Sequence, residues 1–360
     1  ELTIKEGPEN FADVTIGEKT YDDKTTKIEF TGNPTITGLK DGTYVLKETV
    51  APDGYTVVSE FTFTVKNGIV TENSAVTDGK VEKSEDGKTI TITDDISEIK
   101  IDKQIISNGE AKPSSDAEFE LTIKEGPENF ADVTIGEKTY DDKTTKIEFT
   151  GNPTITGLKD GTYVLKETVA PDGYTVVSEF TFTVKNGIVT ENSAVTDGKV
   201  EKSEDGKTIT ITDDISEIKI DKQIISNGEA KPSSDAEFEL TIKEGPENFA
   251  DVTIGEKTYD DKTTKIEFTG NPTITGLKDG TYVLKETVAP DGYTVVSEFT
   301  FTVKNGIVTE NSAVTDGKVE KSEDGKTITI TDDISEIKID KQIISNGEAK
   351  PSSDAEFELT

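Results

Sequence analysis

Cysteine, histidine, methionine and tryptophan are all missing from these 360 residues. Without cysteine there is no disulfide and no thiolate ligand. Without histidine there is no imidazole base or metal ligand, so the usual catalytic pairs of metabolic enzymes are excluded and no cofactor or metal is expected. No apolar run is long enough to span a bilayer, and there is neither a signal peptide nor an initiating methionine, so the chain is expected to be an internal piece of something longer. Basic residues are in deficit: 73 Asp and Glu against 39 Lys and Arg leave a formal charge of −34. Such a surface repels nucleic acid and anionic membrane, and neither is expected as a partner. Paired carboxylates could serve a glycoside hydrolase, but acids spread evenly along a Thr-rich chain read more simply as a solvated surface, and no enzyme is expected.

What is present is repetition. Glu1 recurs as Glu120 and Glu239, and the whole sequence repeats without a change at a period of 119 residues. That period is large enough for an independent core, so the chain is a tandem array of domain-sized beads and not a solenoid. Within a repeat, "TKIEFTG", "GTYVLKET", "SEFTFTVKN" and "KTITITD" alternate with a period of two, and "GNP", "KDG", "APDG", "KNG" and "EDG" separate them. No stretch holds helical spacing over three turns, and Thr, Val and Ile favour pleated surfaces. The expected fold is all-β: antiparallel sandwiches of about seven to nine strands per domain.

Domain boundaries fall best at "TDDISEIKID", where one alternating run ends and another begins. Complete domains then span 97–215 and 216–334, residues 1–96 lack a first strand, and 335–360 supply a first strand with the start of a further repeat. The junction has no Gly or Pro and few spare residues, so neighbouring domains are expected end to end, as a stiff rod.

"LKETVAPDGY" raises a chemical question. Alternation in "GTYVLKET" places Tyr44, Leu46 and Glu48 on one face, so a glutamate stands at the end of an inward-facing apolar register. Either it faces the core or the strand has already reached water there.

Taken together, "ITGLKDGTYVLKETVAPDGY", the preceding "DAEFELT", the following "FTFTVKNGIVT" and the closing "TITITDD" before "EIKIDKQ" resemble the Cna protein B-type domains, prealbumin-like sandwiches of Gram-positive surface adhesins and pilins. The resemblance covers the whole repeat. It implies an intramolecular isopeptide bond between a Lys of the first strand and an Asn or Asp of the last, assisted by the Glu of the "KET" motif. On that reading Glu167 and Glu286 are the catalytic glutamates of the complete domains, and Glu48 is their copy in the first. In "EIKIDKQ", Lys103 shares the face of Ile99 and Ile101, which makes Lys103, Lys222 and Lys341 the candidate lysines, with Lys100 as the alternative. In the last strand Ile90 and Ile92 share a face with Asp94, so the acceptors are Asp94, Asp213 and Asp332. A buried Lys–Asp ion pair that never condenses is the other possibility. Phe119, Tyr163, Phe180 and Phe182 are expected in the core as packing.

The function this implies is a structural stalk of a surface adhesin or pilus-like fibre, extracellular and anchored to the cell wall, whose partners are neighbouring identical repeats. Two alternatives stand beside it. One is multivalent binding of a host extracellular matrix ligand through edge strands and hairpins such as "KNGIVTENSAVTDGKVEKSEDG". The other is a calcium-rigidified junction, since Asp94, Asp95 and Glu98 crowd the boundary. The ends carry a further expectation: if they are the true ends of a polypeptide, Lys341 of one chain and Asp94 of the next should link chains head to tail.

Overall fold

The computed structural model describes residues 1–107, 109–352 and 355–359, and among them there are strands and turns but no helix. No helix, therefore, is long and apolar enough to cross a membrane. The chain divides into two compact units, Glu1–Ile215 and Ser216–Thr360.

Residues 97–215 show how the sequence builds its layers. "EIKIDKQIIS" forms the opening strand Glu98–Ser107, whose alternation turns Ile99, Ile101 and Lys103 inward. It runs parallel to the closing strand Thr208–Asp213, with Lys103 opposite Ile211 and Ile105 opposite Asp213. The first sheet runs in the order Lys138–Thr139, Thr134–Ile135, Thr154–Thr156, opening strand, closing strand, Lys199–Lys202, and Glu110–Pro113 also pairs with the opening strand. The second sheet is antiparallel, in the order Lys146–Thr150, Glu118–Glu125, Gly161–Val169, Phe180–Lys185, Ile188–Asn192. The core joins Ile99, Ile101, Ile209 and Ile211 of one sheet to Leu121, Tyr163, Leu165 and Phe182 of the other. Tyr163 lies between Phe130 and Phe182, with ring centroids 6.0 and 5.5 Å away, and its hydroxyl donates to the Lys159 carbonyl at 2.7 Å. A ring that buries this much surface still needs a partner for its one polar atom, and the "GLKDG" turn supplies it.

The repeat thus has twelve strands, more than the seven to nine expected. The surplus has a physical reason. Thr134–Ile135 and Lys138–Thr139 are two-residue pieces in "ADVTIGEKTY", too short to show a period, and Glu110–Pro113 is exposed along its length and so carries no apolar pattern.

Residues 216–334 have the same registers, with Glu217–Ser226 parallel to Thr327–Asp332. Residues 1–96 keep the second sheet, in the order Lys27–Ile28, Leu2–Glu6, Gly42–Leu46, Phe61–Lys66, Ile69–Asn73. Their strand Ile90–Thr93 pairs with Lys80–Lys83 in a two-stranded ribbon. Near the C-terminus, Gln342–Ser345 forms a hairpin with Glu348–Pro351.

Candidate functional site: a buried lysine between two carboxylates

Three strands each deliver one charged group to the same interior point. On the opening strand Lys103 follows Ile99 and Ile101; on the closing strand Asp213 follows Ile209 and Ile211; on the facing sheet Glu167 follows Tyr163 and Leu165, opposite Phe119. Lys103 and Asp213 are 0% exposed and Glu167 5%. The Lys103 ammonium meets Asp213 Oδ1 and lies 3.1 Å from Glu167 Oε1. The second Glu167 oxygen, Oε2, accepts the Val177 N–H at 2.7 Å, which fixes the carboxylate from behind.

The third repeat has the same arrangement. Lys222 meets Asp332 Oδ1 and lies 3.0 Å from Glu286 Oε1, while Glu286 Oε2 accepts the Val296 N–H at 2.7 Å. Lys100, the alternative lysine, is exposed and lies 3.9 Å from Asp102.

Charge cannot be carried cheaply in this place, because burial disfavours the ionised form of each group. Burial lifts the Asp213 carboxyl to about 8; the neighbouring Glu167 charge pushes the same way and Lys103 opposes it. Burial likewise lifts Glu286 to about 7 and raises Asp332. Burial thus favours a proton on Asp213 in one site and on the Glu286–Asp332 pair in the other. Beyond their mutual contacts, Lys103 Nζ, Glu167 Oε1 and both Asp213 oxygens have no hydrogen-bond partner.

Sequence reasoning missed Asn152. Its Oδ1 accepts the Lys103 N–H at 2.5 Å and its Nδ2 donates to the Ser114 carbonyl at 2.7 Å, clamping the opening strand beside the site. Asn271 accepts the Lys222 N–H at 2.6 Å in the same way. The only sequence signal was "GNP", which reads as a turn.

The remaining candidates lie apart from a complete triad. Glu48 is half-buried, its Oε2 accepts the Val58 N–H at 2.7 Å, and burial raises its carboxyl with help from Asp94. Asp94 is half-buried. Lys341 is exposed and donates to the Gln342 carbonyl at 3.1 Å. At the boundary Asp95 Oδ2 accepts the Gly79 N–H at 3.0 Å, and among the described residues no group of three acidic side chains is placed to hold a metal ion.

A two-sheet sandwich closed by parallel first and last strands, repeated along one chain, defines a prealbumin-like module. The chain belongs to the SpaA prealbumin-like fold domain family, which matches residues 2–80, 97–199 and 216–318. Among solved structures it is similar to the C-terminal fragment of the pilus adhesin SpaC from Lactobacillus rhamnosus GG, at 18% identity and a TM-score of 0.28, covering 67% of this chain and 99% of that one. It is also similar to the shaft pilin SpaA of that organism, at 17% identity and a TM-score of 0.23, over 68% of this chain and 99% of the pilin. The minor pilin GBS52 of Streptococcus agalactiae gives 17% identity and a TM-score of 0.24, over 69% of this chain and 100% of the pilin. No curated protein sequence matches the chain.

Proposed function

We propose that these repeats are structural spacers of an extracellular, cell-wall-anchored adhesin or pilus-like fibre of a Gram-positive bacterium, with 97–215 and 216–334 as complete modules, each closed by its own Lys–Asp isopeptide bond. Membership of the prealbumin-like family and the likeness to pilus proteins support the setting. The observation that carries the cross-link is the contact of Lys103 with Asp213, both fully buried, beneath Glu167.

The chemistry balances without a co-reactant. Proton transfer within the triad leaves a neutral lysine amine beside a protonated aspartic acid. The Nζ lone pair attacks Cγ, forming the N–C bond, and Glu167 accepts the proton that the nitrogen sheds. Glu167 returns that proton to the departing hydroxyl; the C–O bond breaks and water leaves. The product is a neutral amide where a buried ion pair stood, so the desolvation cost of two charges disappears. Each site turns over once, on itself, so the protein modifies itself and is not an enzyme acting on an external substrate.

The bond would join the first strand of a repeat to its last. Tension entering by Glu98–Ser107 would leave by Thr208–Asp213 through a covalent link, and the sheets between would not be stretched.

Intact-protein mass spectrometry tests this reading. The full chain should be two waters lighter than its sequence; Lys103→Met, Lys222→Met or Glu167→Gln should each restore one, and Lys100→Ala none. A mass equal to that of the sequence would reject the cross-link and leave a buried ion pair.

A further inference from the structure

The turn between Phe180–Lys185 and Ile188–Asn192 reaches outside its own repeat. Asn186 and Gly187 form its tip, both at positive φ, 52° and 74°, which suits a two-residue hairpin. Asp160 Oδ1 accepts the Asn186 N–H at 2.7 Å and so sets the direction of the tip from within the repeat. The Asn186 side chain then grips the loop that follows "LKE" in the preceding repeat: Oδ1 accepts the Ala51 N–H at 3.3 Å, and Nδ2 donates to the Thr49 carbonyl at 3.2 Å. A side-chain amide offering one acceptor and one donor side by side matches the edge of a peptide backbone.

Two more contacts surround this grip. Gly187 lies so near the same loop that an added Cβ would stand 2.6 Å from the Tyr55 carbonyl oxygen and 2.8 Å from Thr56 Cγ2. Lys207, in the next hairpin of the same repeat, meets Asp78 Oδ1 of the preceding repeat at 2.7 Å. The connecting chain is held as well: Ser97, fully buried, donates its N–H to the Gly54 carbonyl at 2.8 Å and its hydroxyl to the Leu158 carbonyl at 3.2 Å.

The first repeat supplies the internal control. Its tip, Asn67–Gly68, has the same sequence and the same positive φ, 54° and 75°, and Asp41 Oδ1 accepts the Asn67 N–H at 2.8 Å. Yet a Cβ on Gly68 would meet nothing within 4 Å. The tip is therefore shaped before it has anything to grip.

We infer that Asn186, Gly187 and Lys207 form a repeat-recognition surface whose partner is the "TVAPDGY" loop and Asp78 of another copy of the repeat, and that this plug and socket fixes the orientation of one repeat on the next. The inference deepens the spacer reading, since a spacer needs defined junctions, but its contacts involve none of the cross-link residues.

The absence of cysteine allows a clean test. Spin labels on Glu60→Cys and Glu179→Cys of the full chain, both exposed positions, report the distance distribution between the first and second repeats. The expected result is a single narrow distribution that broadens roughly twofold in Asn186→Ala/Lys207→Ala, since covalently linked domains move freely unless an interface holds them. Asn67→Ala/Lys88→Ala, the same pair of changes in the first repeat, should leave the width unaltered. Gly187→Ala should shift the distribution while Gly68→Ala does not, although both carry the same backbone strain. A width insensitive to Asn186 and Lys207, or equally sensitive to Asn67 and Lys88, would overturn the inference. Intact mass on the same samples reads the cross-links separately, so failure of one reading is visible apart from failure of the other.

Discussion

Residues 1–96 and 97–215 place the same sequence in two situations, without and with the strand "EIKIDKQIIS". With it, Ile211 is 0% exposed; without it, its copy Ile92 is 40% exposed. The "KET" strand runs Gly161–Val169 in the second repeat but only Gly42–Leu46 in the first, so Glu48 lies beyond its end. What does not change is the anchor behind the glutamate, a backbone N–H at 2.7 Å in both copies. The glutamate is thus held by its own neighbourhood, whereas the burial of the aspartate strand is imposed by the opening strand. That strand supplies the lysine and also closes the cavity around it.

The largest test of this contrast is to remove the proposed covalent link. Lys103→Met keeps the length of the side chain but cannot form the amide. The proposed link would span 110 residues, as its copy Lys222–Asp332 does, and a cross-link over a loop of that order removes about 4.7 kcal/mol of unfolded-chain freedom. Calorimetry of the variant should show the transition of 97–215 moving down toward that of the first repeat. An unchanged transition would mean that the opening strand stabilises by packing alone.

Packing itself can be measured by the same substitution in two places. Ile211→Ala removes a fully buried side chain and should cost about 2–5 kcal/mol, whereas Ile92→Ala should cost under about 1 kcal/mol because its side chain already meets water. Equal costs would show that the ribbon Ile90–Thr93 is packed in solution in a way the structure does not show.

Alternation made much of this legible. It placed Ile99, Ile101 and Lys103 on one face and set Tyr163, Leu165 and Glu167 in a single inward register, because period two survives in long strands of a half-buried sheet. The short pieces Thr134–Ile135 and Lys138–Thr139 were not legible, since two residues have no period. Nor was Asn152, whose role depends on a backbone N–H brought to it across 49 residues of sequence. Asn152→Ala should leave the Lys103 N–H and the Ser114 carbonyl without their partner, at about 1–3 kcal/mol. Asn33→Ala, its copy where no opening strand passes, should stay within about 0.5 kcal/mol. Thermal unfolding of the two variants compares them directly.

The smallest expected effect concerns protons at the half-built site. Burial and the Asp94 charge raise the Glu48 carboxyl, while the Val58 N–H pulls it down by less. A carboxyl raised in the folded state binds its proton more tightly there than in the unfolded chain, where its value is about 4.3. Its contribution to stability is therefore complete below that unfolded value and is lost as the pH climbs through the folded one. The overall charge of −34 also weakens the chain as pH rises, so the informative quantity is the difference between the native protein and Glu48→Gln, which cannot ionise. The unfolding midpoint of the first repeat in the native protein, minus that in Glu48→Gln, should fall as the pH is raised from about 4 to 8. A flat difference would mean that Glu48 reaches water in solution, and that the opening strand orders the glutamate as well as the aspartate.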